Sequence, residues 1–163
     1  MAPRSPCCVT CISERTTDVA YDFQVAVDCA RPHELADWWA ETLGWLVEES
    51  DEDFIRKMIA EGYATDADTT TYHGKLVWTE GAAIRHPDGP ATGIRKRVIF
   101  QQVPETKTVK NRWHIDIWVG QEQVQSAADQ LTARGASFLR SGQQGQHTWI
   151  TMADPEGNEF CLS

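Results

Sequence analysis

The sequence predicts an α+β domain in which one unit, a strand, a helix and three further strands, occurs twice. Three observations carry this. Two alternating segments, Tyr21 to Asp28 and Arg112 to Val119, each lead into an amphipathic helix that a glycine closes, Gly44 and Gly135. A Pro-containing turn precedes the last strand of each half, His86-Pro87-Asp88-Gly89 and Asp154-Pro155-Glu156-Gly157. The closing strands then match as Phe100-Gln101 and Phe160-Cys161, and the opening ones as Phe23-Gln24-Val25 and Trp113-His114-Ile115. Landmarks that return in one order point to an internal duplication.

Residues 1–17 are rich in Ser, Thr, Pro and Arg without periodicity and read as a disordered tail. The domain is expected over 18–163, with halves of about 18–106 and 107–163. After the first strand, Pro32 opens a helix with Glu34 in its first turn. Leu35, Trp38, Trp39 and Leu43 give it one apolar face. Trp45 to Glu49 reads as the next strand. Phe54, Ile55, Met58 and Ile59 mark a short extra helix within Asp51 to Gly62, inserted in the first half. Thr65 to Gly74 is polar and reads as a loop. Strands follow at Lys75–Thr79, Ala82–Arg85 and Arg97–Val103. In the second half a helix is expected from Glu122 to Arg134, then strands at Ala136–Arg140, Thr148–Met152 and Glu159–Leu162.

Composition excludes several classes of function. A net charge of −9, from 24 acidic and 15 basic residues, would repel a nucleic-acid backbone. The basic run Arg95-Lys96-Arg97 sits beside Gly93 at a strand entry. An acidic chain suits a neutral or cationic ligand better than an anionic one. No apolar run approaches the ~20 residues needed to span a bilayer, and the first residues lack the apolar core of a secretory signal. No membrane partner is expected, and residence is expected to be cytoplasmic. Five cysteines are present. Cys8 and Cys11 form one C-x-x-C, without the second pair that a zinc clip would need. Cys29 and Cys161 fall in expected strands and read as free thiols.

The stretch from Phe23 to Trp45, the segment from Phe100 to Asp116 and the closing Asp154-Pro-Glu-Gly-Asn-Glu-Phe-Cys161 together resemble the glyoxalase-like branch of the vicinal oxygen chelate superfamily. That superfamily includes glyoxalases, bleomycin-resistance proteins and extradiol dioxygenases. The resemblance covers about Tyr21 to Ser163. It implies two βαβββ modules forming a half-open barrel around one cavity, and a homodimer. It also implies that a divalent metal, where one binds, sits on the inner sheet face. The corresponding positions here are Gln24, Gln101, His114 and Cys161. Metal-binding members place carboxylates where this chain has Gln101 and Cys161. The loss of two negative charges argues against zinc, nickel, iron or manganese as a resident cofactor; a Cys161 thiolate would partly compensate.

Strand periodicity adds its own reading. If Gln24 and His114 face inward, so do Ala26, Asp116 and Trp118, while Phe23, Val25, Trp113, Ile115 and Ile117 face the helices. A mixed polar and aromatic inner face suits a ligand cavity. Its expected ligand-binding residues are Gln24, Gln101, His114, Asp116, Trp118, Glu159 and Cys161. Asp116 is the candidate catalytic residue, as orienter of the imidazole or as base, against a plain ion pair with Arg112 or Lys110. Glu159 reads first as a rim salt-bridge partner, and Cys161 first as a small buried filler, with a nucleophile as the alternative. Trp38 and Trp39 belong to the core. Trp118, with Trp78 or Trp149, could stack on a flat ligand. Two functions remain open: metal-free binding of a small molecule, for sequestration or resistance, and a metal-dependent lyase, isomerase or dioxygenase acting on adjacent oxygens. A structural or regulatory role of the extra helix is a third.

Overall fold

The computed structural model of the protein describes residues 23–89 and 96–163. The expected tail with Cys7, Cys8 and Cys11, and Arg95 of the basic run, lie outside the described residues. The first half runs β1 (Val25–Cys29), α1 (Pro32–Leu43), β2 (Leu46–Val47), α2 (Glu52–Ala60), β3 (Thr69–Tyr72), β4 (Lys75–Trp78), β5 (Gly81–Arg85) and β6 (Arg97–Gln102). The second runs β7 (Ile115–Ile117), α3 (Val124–Ala133), β8 (Ser137–Gln144), β9 (His147–Ala153) and β10 (Glu159–Leu162).

Each half forms an open four-stranded sheet, in the orders β1-β6-β5-β2 and β7-β10-β9-β8. In both, the first strand lies parallel to the last and the remaining pairs are antiparallel. A parallel pair cannot be joined by a tight turn, so the crossover helices α1 and α3 are required by the topology. The architecture is the expected α+β duplication, with α2 as the extra helix. Among the described residues no sheet closes into a barrel.

Local chemistry explains the elements. Pro32 occupies the first turn of α1, where its missing N–H costs nothing, and Gly44 ends the helix at φ 65°. Asp51 caps α2 by accepting from the Phe54 N–H at 2.9 Å. Thr65 to Gly74 is not a loop. It contains a short 3-10 turn and β3, which pairs antiparallel with β4. Three consecutive threonines suit a strand, and His73 and Gly74 turn the hairpin with φ of 48° and 78°.

The two halves share one core. Leu35, Ala36, Trp38 and Trp39 of α1 are buried, and both tryptophan rings meet Phe160 of β10 edge-on, at 5.9 and 5.3 Å. The turn before β10 fastens this contact. Asp154, 2% exposed, accepts from the Trp39 indole at 3.0 Å and from its own turn's N–H groups. Glu156 accepts from the N–H groups of Ala30 and Arg31 at the entrance to α1.

Two expectations about strand faces are corrected. Ile115 and Ile117 pack against the core as expected. Phe23 and Trp113, however, are 79% and 89% exposed, because they precede the paired parts of β1 and β7 and no helix covers them. The repeat also shifts by two residues. Phe100 pairs with Val27 and Phe160 with Ile115, so matching those two buried phenylalanines sets Ala26, not Gln24, against His114.

Candidate functional site

Three neighbouring strands of the second sheet place Asp116, Cys161 and Thr151 in one row, because Cys161 pairs with Asp116 of β7 on one side and Thr151 of β9 on the other. His114 stands two residues before Asp116, hence on the same face. Its Nε2 lies 3.2 Å from an Asp116 carboxylate oxygen. The Cys161 Sγ lies 3.4 Å from the Thr151 hydroxyl. Donor atoms of His114, Asp116 and Cys161 all fall within 4.8 Å of one another. Both His114 and Asp116 open to solvent, 42% and 56% exposed at their side chains, above the buried thiol. The carboxylate fixes the orientation of the imidazole, so the pair presents a hydrogen-bonding group at an open face.

Aromatic rings flank the row. Trp118, His147 and Trp149 follow one another with centroids 6.1 and 6.0 Å apart. Trp118 is 78% exposed, and so offers an open ring rather than a wall of an enclosed cavity. Trp149 lies over Gly142, where an added Cβ would collide with its ring. Sequence reasoning assigned nothing to His147 or Thr151. Stepping by two along β9 from Thr151 through Trp149 to His147 was the signal that could have found them.

Glu159 is turned to structure. One oxygen accepts from Lys107 Nζ at 2.9 Å, the other from the Asn111 N–H at 3.0 Å. Burial pushes its carboxyl upward, yet these bonds and the Lys107 charge outweigh that and hold it below the ordinary value.

The first half does not complete the four-residue set. The Gln24 carbonyl oxygen accepts from Arg97 Nη1 at 2.6 Å, while the same guanidinium donates to Glu48 at 2.9 Å. Gln101 pairs with Asp28, four residues along β1 from Gln24, which amounts to about 13 Å of strand. Side chains standing off a sheet at that separation do not bring both amide oxygens to one ion. A centre built on Gln24, Gln101, His114 and Cys161 therefore does not fit these residues. The smaller set of His114, Asp116 and Cys161 offers nitrogen, oxygen and sulfur donors able to hold a metal ion. None of Gln101, His114, Asp116, Trp118, Glu159 or Cys161 lines the cleft of about 540 Å³ in the first half.

Comparison with known proteins agrees with this architecture. Residues 24–163 match the family described as "Glyoxalase-like domain". No curated protein matches the sequence significantly. Among solved structures, the fosfomycin resistance protein FosX from Listeria monocytogenes superposes with a TM-score of 0.56 at 8% identity, over 88% of this chain and 92% of that one. A mutant of it, solved with Mn(II) and a dihydroxypropylphosphonic acid, gives 0.57 at 8% identity over 88% and 91%. A protein described as a possible glyoxalase from Bacillus cereus gives 0.53 at 12% identity over 88% and 98%. At these identities the likeness establishes the fold.

Proposed function

Because this chain belongs to the glyoxalase-like domain family, we propose that it is a small-molecule-binding protein whose ligand docks on the inner face of the second sheet without the four-ligand metal centre. One observation carries this reading: Gln24 is engaged by Arg97 at 2.6 Å, away from any partnership with Gln101, while His114 and Asp116 remain open to solvent, grouped with the buried Cys161. The His114–Asp116 pair would hydrogen-bond a polar head group, and Trp118 and Trp149 would stack on a flat body. Sequestration of such a molecule, as in a resistance role, needs no chemistry beyond this. The protein would act as a homodimer in the cytoplasm, where Cys29 and Cys161 stay reduced.

The 4.8 Å grouping favours one second reading, a zinc-type centre on His114, Asp116 and Cys161. A bound ion would supply Lewis acidity toward adjacent substrate oxygens. His114 and Asp116 would then serve as ligands and could no longer exchange a proton.

A thermal-shift screen of neutral and cationic aromatic compounds, run with a chelator present, tests the first reading. Some of the compounds that raise the melting temperature of the parent should lose the effect in both His114→Ala and Asp116→Asn. A screen in which every hit is indifferent to both substitutions would place binding elsewhere and contradict it.

A further inference from the structure

The cleft in the first half lies between the start of α1, the β3–β4 hairpin and the β5–β6 part of the sheet. Its size, about 540 Å³, is that of a small-molecule site. Val77, Ala83 and Ile99 give it an apolar floor, and Tyr72 and Trp78 give it aromatic faces. Its charges are unbalanced. Asp37, Glu48, Glu49 and Asp51 line it against only Lys75 and Arg97. Both cations are already paired, Arg97 with Glu48 at 2.9 Å and Lys75 with Glu49 at 3.1 Å. Asp51 is used in capping α2. Asp37 is left. Its Oδ2 accepts from the Tyr72 hydroxyl at 2.7 Å and meets His73 Nε2 at 2.8 Å. Among the described residues no lysine or arginine reaches it and nothing donates to Oδ1.

His73 is the independent sign. It takes φ 48° at the first position of a two-residue hairpin turn, where asparagine or glycine is the unstrained choice. The imidazole placed there contacts Asp37, and its ring lies 4.2 Å from Tyr72, which itself stacks on His33 at 5.0 Å. His33 in turn bonds the Trp78 carbonyl at 2.8 Å. A chain of aromatic and polar contacts converges on the orientation of one carboxylate at the mouth of the cleft.

We propose that this cleft is a second binding site, taking a protonated amine carried on a flat apolar body. The ammonium pairs with Asp37 and lies within reach of the electron-rich face of Trp78, and the body rests on Val77 and Ile99. An anion meets the unpaired acidic charge and is rejected. His73 and Tyr72 act as positioning residues.

Calorimetric titration with tryptamine, uncharged tryptophol and anionic indole-3-propionate tests this. The amine should bind about tenfold or more tightly than the alcohol, and the acid should not bind. Asp37→Asn, which keeps an acceptor for Tyr72, should remove the preference. His114→Ala should retain it, which separates this site from the face of the second sheet. His73→Asn supplies the residue the turn favours, so the protein should melt no lower while amine affinity falls. Equal binding of all three indoles, a preference surviving Asp37→Asn, or one lost in His114→Ala would overturn the proposal.

Discussion

Glu159 stands on the same side of β10 as Cys161, yet both its oxygens accept from its own chain, one from Lys107 and one from the Asn111 N–H. Its carboxyl is held below the ordinary 4.5. A carboxyl lowered on folding stabilises the protein at pH above its unfolded value, and that contribution disappears as pH falls through the folded value. Glu159→Gln should therefore destabilise at pH 7, with the gap to the parent narrowing steadily below pH 4.5. Urea unfolding across this range checks it, and a gap independent of pH would contradict the assignment. Cys29 shows the opposite shift. Burial, then the Glu156 and Asp154 charges, push its thiol up to about 12, so it should stay unmodified by thiol reagents in the folded protein at neutral pH. Single residues were unevenly legible. The pairing of His114 with Asp116 follows from strand period and was visible in the sequence. The capture of Gln24 by Arg97 and Glu48 was not, because it joins three separate segments through a strand register that residue order alone does not reveal.

At the scale of elements, α1 is the hinge of the account, since it packs on its own sheet and on Phe160 of the other half. The Trp39 indole donates to buried Asp154 at 3.0 Å. Trp39→Phe keeps most of the apolar area but leaves a charged acceptor short of a donor, and should cost about 2 kcal/mol. Chemical denaturation measures it; a loss below about 0.5 kcal/mol would show that the bond contributes little. The helix was legible from its proline, glycine and apolar spacing. The β3–β4 hairpin was not. Its turn carries His73 where the usual signal is asparagine, and its threonines read as polar until the partner strand is known. The opening strand of the second half was read too long for a related reason. Alternation continues from Arg112, but pairing with β10 begins only at Ile115.

On the whole molecule, the duplication was visible because turns and glycines recur in order, whereas the two-residue shift between halves needed the pairing itself. Large apolar side chains remain open at Phe23, Trp113 and Trp118. In the proposed homodimer a second copy would cover Phe23 and Trp113, leaving Trp118 open to the ligand. Sedimentation equilibrium should give a dimer, and Trp113→Glu should shift it to monomer with the fold retained. A parent protein that is monomeric at all concentrations would leave those rings without this explanation. On the proposed reading the second sheet binds its ligand with His114 and Asp116 themselves rather than through a metal. The most direct measurement is the metal content of untagged protein by elemental analysis, alongside melting shifts with zinc, nickel, iron and manganese. Far less than one ion per chain is expected, with no shift that depends on His114. Near-stoichiometric metal that disappears in His114→Ala would contradict it and establish the centre on His114, Asp116 and Cys161 instead.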